Sequence, residues 1–478
     1  MTEGRGAERP RRGRRSSRAP IRAMRPFLES RYRILAVALV LSLAGTGVWL
    51  VASVFQIREL GGGPVDLSYV ATANAVGLLL AVLFGGAVAD LIPQQRILLT
   101  IELTKSLVAG AIAALALTGT LQIWHLAVVG FVLGVADGFF YPAYSALLPA
   151  ILPADDLLAA NGVEGTLRPT IMQAAGPALA GAVIAAASPA LAFVVVAAAQ
   201  FAGALVLTRL RPTPLRRSEP EPGDEVALAA DAPAPPSARS AVGSLLRDIA
   251  EGFRYMVRTP WLLATLVFAS LLVLVIMGPI EVLLPFAVTD QTGGGAGAFA
   301  LVLAAFGIGS AIASLVVASL PLPRRYLTVM NLAWGLSCLP LVVVGFTDQL
   351  WLIVIAVFIV GAGFSVGQVI WGTLLQRRVP PELLGRISSL DFFVSLLFMP
   401  VSMAIAGPIG EWIGFGPAFL IAGLVPAVLA VLVIVLARLP QDELRHPLDV
   451  AGDARDGGMT GLGASELLSR EPGAPSAS

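Results

Sequence analysis

Twelve long apolar runs, each close to the length of a membrane-crossing helix, dominate this chain. Crossing the hydrocarbon core takes about 20 predominantly apolar residues in a helix. Lipid admits only helices or closed barrels, because every backbone N–H and C=O must be satisfied internally. A barrel would alternate apolar and polar residues in segments of roughly ten. Here the runs are continuous and rich in Ala, Leu and Val, so the chain reads as an all-α membrane protein with twelve transmembrane helices. Composition agrees, with 56% of the 478 residues hydrophobic and 13% charged, against roughly a quarter charged in soluble domains.

The predicted spans are 34–56, 68–89, 97–118, 123–148, 163–186 and 189–208, then 261–287, 298–320, 326–346, 350–375, 388–409 and 415–437. The plan is therefore a basic tail (1–33), a six-helix half (34–208), a linker (209–260), a second six-helix half (261–437) and a polar tail (438–478). The tails and the linker, with stretches such as RPTPLRRSEPEPGDE, are expected to be disordered because they cannot bury a core. An interfacial helix is expected at the linker's end, in SLLRDIAEGFRYMVRTP.

Twelve spans put both termini on one side of the bilayer. The first 33 residues carry eleven Arg and three Glu, and cytoplasmic termini leave Arg58 as the only arginine in an outer loop. Positive-inside anchoring accounts for the basic tail, so no nucleic-acid partner is expected. Cys338 has no second cysteine to pair with, and His125 and His446 lack any ligand spacing, so neither a metal nor a cofactor is expected. There is no HExxH and no G-x-x-x-x-G-K-[ST] loop, which argues against an enzyme. No soluble module is offered for a sensor.

The halves echo one another. LLPAILPADDLL (147–158) and LLQRRVPPELLG (374–385) align Pro153 with Pro380, Asp155 with Glu382 and Leu157 with Leu384, and Gly176-Pro177 recurs as Gly407-Pro408. Duplicated halves place a substrate site at their interface and work by rocking. Twelve spans, a long middle linker and this repeat resemble the major facilitator superfamily. The stretch GGAVADLIPQQR resembles its signature loop between spans two and three, with Gly86, Asp90 and Arg96 at the matching positions. Such a loop implies a cytoplasmic gate, in which Gly86 allows close helix approach and Asp90 accepts hydrogen bonds; Arg386 and Asp391 are read as structure or as part of the same gate. Positions 91–95 lack the usual basic run, so a weaker or differently wired gate is expected.

GVADGFFYPAYSALLP, LLAANG, RPTIMQAAGPALAG and QRRVPPELLGRISS resemble the exporter group that includes enterobactin and macrolide efflux proteins. Gly176, Pro177 and Gly181 resemble the superfamily's antiporter motif. The resemblance implies proton-coupled efflux of small amphipathic compounds, such as drugs or siderophores, by a monomer in a bacterial cytoplasmic membrane. An importer or lipid flippase of the same fold is the alternative.

Ionisable residues within spans are costly and mark function. Glu102 and Lys105 lie one turn apart in span three and can pair. Asp137 in span four and Arg168 in span five share their level, and the exporters resembled usually carry Asp and Arg where this chain has Glu102 and Lys105. Asp137, Glu102 and Glu281 are the candidates for proton coupling, with Lys105 and Arg168 as partners; a fixed ion-pair network is the other reading. Glu281 could instead meet a cationic substrate or solvent. Many relatives carry an Asp in span one that LSLAGTGVWLV lacks. Trp49, Phe139, Phe140 and Trp371 are candidates for a greasy cavity wall.

Overall fold

The computed structural model of the chain describes residues 22–210 and 251–448. Among the described residues there is no β-strand, and twelve helices are long and apolar enough to cross a membrane. The first half holds α1 Ser30–Glu59, α2 Pro64–Leu91, α3 Gln94–Leu117, α4 Ile123–Ile151, α5 Ala159–Ala186 and α6 Pro189–Leu207. The second holds α7 Pro260–Thr292, α8 Ala296–Ser319, α9 Tyr326–Phe346, α10 Leu350–Arg378, α11 Arg386–Ile413 and α12 Phe415–Leu436.

All twelve expected spans are present, with shifted ends. Helix α2 starts before the expected residue 68 because Pro64 occupies its first turn and the Gly63 N–H donates to Asp66 Oδ2 at 2.9 Å. Helix α7 runs past 287 until Gly293, whose φ of 68° is a left-handed stop that glycine adopts readily. Gly86 and Asp90 belong to the last turns of α2 rather than to a loop, and Arg96 lies in the first turn of α3.

Most of the expected tails and linker lie outside the described residues. The described parts of the two tails are ordered, which corrects the expectation of disorder there, and the described end of the linker is helical, as expected. Arg22–Leu28 forms a 3-10 turn, with Phe27 edge-on to Tyr32 at 5.2 Å. Residues 251–258 are helical. Leu439–Arg445 forms a short helix that docks on the start of α9, where Glu443 accepts the Thr328 N–H at 2.6 Å and its hydroxyl at 3.0 Å. A carboxylate at a helix N-terminus satisfies orphan donors there, and the apolar Leu439 beside it is fully buried. Burial raises the Glu443 carboxyl above its ordinary value, against the pull of those hydrogen bonds.

Within the first half, α2 and α4 make the closest pairing. Gly130, Gly134 and Gly138 recur every fourth residue along α4. At Gly134 the Asn74 carbonyl leaves no room for a Cβ, and one on Gly138 would lie 2.6 Å from Ala81 Cβ. With no hydrophobic driving force in lipid, small residues let helices associate by close backbone approach. This seam aims Asp137 of α4 into the space between the halves.

The halves meet through α2 against α11 and α5 against α8. At the end carrying the α1–α2 and α7–α8 connections they are closed. The Gly407 N–H donates to Ser68 Oγ at 2.8 Å, and Gly181 lies against Ala296 and Ala300. Arg58 donates to Thr289 Oγ1 at 2.7 Å and pairs with Asp290 at 2.8 Å. Toward the other end, Asn161, Gly162, Gly165 and Thr166 of α5 are exposed.

Replacing Gly134 with Leu should part α2 from α4 and cost about 1–3 kcal/mol of stability. A thermal melt of the purified protein should show a lower midpoint for Gly134→Leu, while Gly162→Leu, whose site is open, should stay near wild type. Equal melts would contradict the seam.

Candidate transport site

A cavity of about 550 Å³ lies between the halves. The first half lines it with Trp49 of α1, Asn74 of α2, Lys105 of α3, Asp137 of α4 and Arg168 of α5. The second half adds Glu281 of α7, Phe299 and Phe306 of α8, Gln368 of α10 and Met403 of α11. Mostly apolar walls with a few placed polar groups are the usual build of a small-molecule site.

Two wall helices lose regular winding where the charges enter. In α5 a π-helical stretch spans Arg168–Ala175, and the Gly176 N–H bonds the Ile171 carbonyl five residues back. In α7 a second spans Pro279–Leu283 and carries Glu281. Prolines supply the cause, since Pro169, Pro177 and Pro279 offer no N–H to the regular ladder. The motif around Gly176 thus has a structural role. Gly176 and Pro177 pack on Gly47 of α1, whereas Gly181 faces α8 of the other half.

Five ionisable residues gather in the first half. Lys105 bonds Asp137 across the α3–α4 contact and does not pair with Glu102. The lysine side chain is 3% exposed and that of Asp137 37% exposed, so the carboxylate is the more open member of the pair. Phe140 lies with its ring 5.6 Å from the ammonium. Arg168 pairs with Glu164 one turn earlier at 3.0 Å. Glu102 is fully buried. Lys105 and Ser42 are close by, yet neither carboxylate oxygen of Glu102 has a hydrogen-bond partner.

The remaining expected site residues scatter. Trp49 lines the cavity, whereas Phe139 and Phe140 pack behind it around the first-half core. Trp371 is buried in the second half beside Trp261 and Trp334, and its indole donates to Asp391 at 2.9 Å. Arg386 bonds Glu251 at 2.6 Å, and Arg96 is exposed. So Asp391 ties α11 to α10, and Arg386 ties α11 to the helix before α7. The Arg58 contacts with α7 are new to the structure, which places Arg58 in the last turn of α1; its standing as the lone arginine of the predicted outer loops was the available signal.

Twelve apolar helices in two six-helix halves around a central cavity form an architecture that suits a membrane transporter. The family model of the Major Facilitator Superfamily matches residues 34–399 and 268–470, and the chain belongs to that superfamily. It is 26% identical to the "Multidrug efflux pump Tap" of Mycolicibacterium fortuitum over 84% of this chain and 94% of that protein. It is 21% identical to "Macrolide efflux protein A" of Streptococcus pyogenes, covering 80% and 90% respectively. Among solved structures, the nucleoside transporter NupG shares its fold at a TM-score of 0.63, with 13% identity over 84% of this chain and 98% of that one.

The Arg58–Asp290 contact should hold the closed end shut. With spin labels at Leu60→Cys and Gly295→Cys, wild type should give one short distance, and adding Asp290→Asn should bring in a longer population. An unchanged distribution would show that Arg58 is no latch.

Proposed function

We propose that this chain exports small amphipathic compounds from a bacterial cytoplasm in exchange for protons, as a monomer with both termini inside. The names of the bacterial relatives, drug and macrolide efflux proteins, support the direction. The positive-inside distribution of arginine supports the orientation. In that orientation the closed Arg58 end faces outward and the α4–α5 end faces the cytoplasm.

The observation that carries proton coupling is the charge inventory of the first-half cluster. Three carboxylates (Glu102, Asp137, Glu164) stand against two cations (Lys105, Arg168). Both cations are already paired, which leaves Glu102 buried with no ion pair of its own, only a share of the Lys105 charge and the Ser42 hydroxyl nearby. A buried charge that only shares a counter-ion costs several kcal/mol, so the arrangement accommodates one proton, and Glu102 is where it rests.

Lys105 feels both Asp137 and Glu102 and acts as the switch. When its ammonium swings to Glu102, the proton passes to Asp137, whose carboxylate reaches the cavity and releases it to water there. The same swing removes the α3–α4 cross-link, so proton movement is linked to helix movement. Alternation between the two pairings biases the rocking of the halves, because only interactions that differ between two states can shift their balance. The adjoining ends of α2 and α3, with Gly86, Asp90 and Arg96, are assigned to the cytoplasmic gate on the strength of their motif.

The test is proton release from energised inside-out vesicles on adding macrolides, dyes or catechol siderophores. Wild type should respond to at least one class. Asp137→Asn and Glu102→Gln should each reduce the response to background, and Glu164→Gln should keep most of it. Flux that survives in Asp137→Asn would move coupling away from this cluster.

A further inference from the structure

Four charged side chains line the central cavity, and three of them are neutralised by the protein itself. Lys105 and Asp137 pair with each other, and Arg168 pairs with Glu164. The fourth, Glu281, is the only charge that the second half contributes to the lining. Among the described residues its carboxylate makes no hydrogen bond and no ion pair, and its side chain stands exposed on the cavity wall. It projects from the π-helical turn of α7, the kind of local distortion that recurs at functional sites.

Its surroundings are soft and apolar. Met277 and Leu284 stand one turn before and after it on α7, and Met399 and Met403 of α11 line the same space. Thioethers adapt their shape to varied ligands. Trp49, Phe299, Phe306 and Phe364 are among the cavity's lining residues, and aromatic rings can attract organic cations through their faces. A lone carboxylate in such a wall leaves one negative charge without a counterpart, and a bound cation supplies it.

We propose that Glu281 is the anchor for the positive charge of the cargo, so that the compounds carried are lipophilic cations: an aromatic or aliphatic body with one ammonium or phosphonium centre. The proposal rests on the export reading above for the word cargo, but the binding it asserts does not depend on proton coupling. It separates two duties within one cavity. The first-half cluster handles the proton, and the second half reads the charge of the substrate.

The test measures equilibrium binding to the purified full chain in lipid nanodiscs, without a proton gradient. The probes are tetraphenylphosphonium and the uncharged triphenylphosphine oxide. Wild type should bind the cation about tenfold or more tighter than the oxide, a difference of about 1.4 kcal/mol. Glu281→Gln should abolish that preference while leaving oxide binding unchanged, and Glu281→Asp should retain part of it. Oxide binding serves as the control for an intact cavity. The proposal is overturned if the cation does not bind wild type, if Glu281→Gln keeps the preference, or if both probes weaken together. It is also overturned if Glu281→Gln loses the proton release triggered by uncharged compounds, since Glu281 would then belong to the coupling machinery. Cation binding through Glu281 with no proton release in vesicles would leave this site standing and remove the antiport reading instead.

Discussion

Lys105 is the only lysine in the chain, and its ammonium is buried among helices that have little water to offer. A charge in that position persists only with a partner, and the partner comes from another helix, Asp137 of α4. Much of the first half follows from meeting that demand. Helix α4 has to approach closely enough to present Asp137, and α2 holds α4 in place along a seam where Gly134 leaves no room for a side chain beyond hydrogen. Satisfying Lys105 through Asp137 leaves Glu102 over, and that surplus carboxylate is the root of the proposed proton chemistry.

The second half is built under a different constraint. Its wall of the cavity is apolar except for polar side chains such as Gln368 and the single carboxylate of Glu281. Several of its charged groups elsewhere hold helices together. Asp391 takes the Trp371 indole hydrogen bond, and Arg378 lies 4.4 Å from the Trp261 ring while pairing with Asp442 of the C-terminal helix. The two halves therefore differ in electrostatics while sharing a plan of six helices. The Gly-Pro pairs differ as well. Gly176-Pro177 packs against α1 inside its own half, whereas Gly407 meets Pro64 and Ser68 of α2 across the interface.

Period, length and hydropathy made the twelve helices legible, because a bilayer allows a chain few alternatives. The layer holding Lys105, Asp137 and Arg168 was legible too, from helical rise alone. The pairing within that layer was not. Spacing along α3 favoured Glu102 for Lys105, but spacing along one helix says nothing about a neighbour that arrives from another, and Asp137 does. Trp371 was equally ambiguous, since an aromatic in a span can face a cavity, lipid or a neighbouring helix; Asp391, twenty residues later in the chain, decided for the interior. The short helix after residue 438 was missed because its stability comes from capping α9 through Glu443, a contact that local composition does not display.

The central claim is that one proton resides on Glu102 while Lys105 is held by Asp137. Infrared difference spectroscopy on the purified protein in lipid, near neutral pH, tests it most directly by comparing wild type with Glu102→Gln. The account predicts a carbonyl stretch of a protonated carboxylic acid in wild type that is absent from the variant. Spectra with no such difference would mean that Glu102 is ionised, and the proposed exchange between Glu102 and Asp137 would not hold.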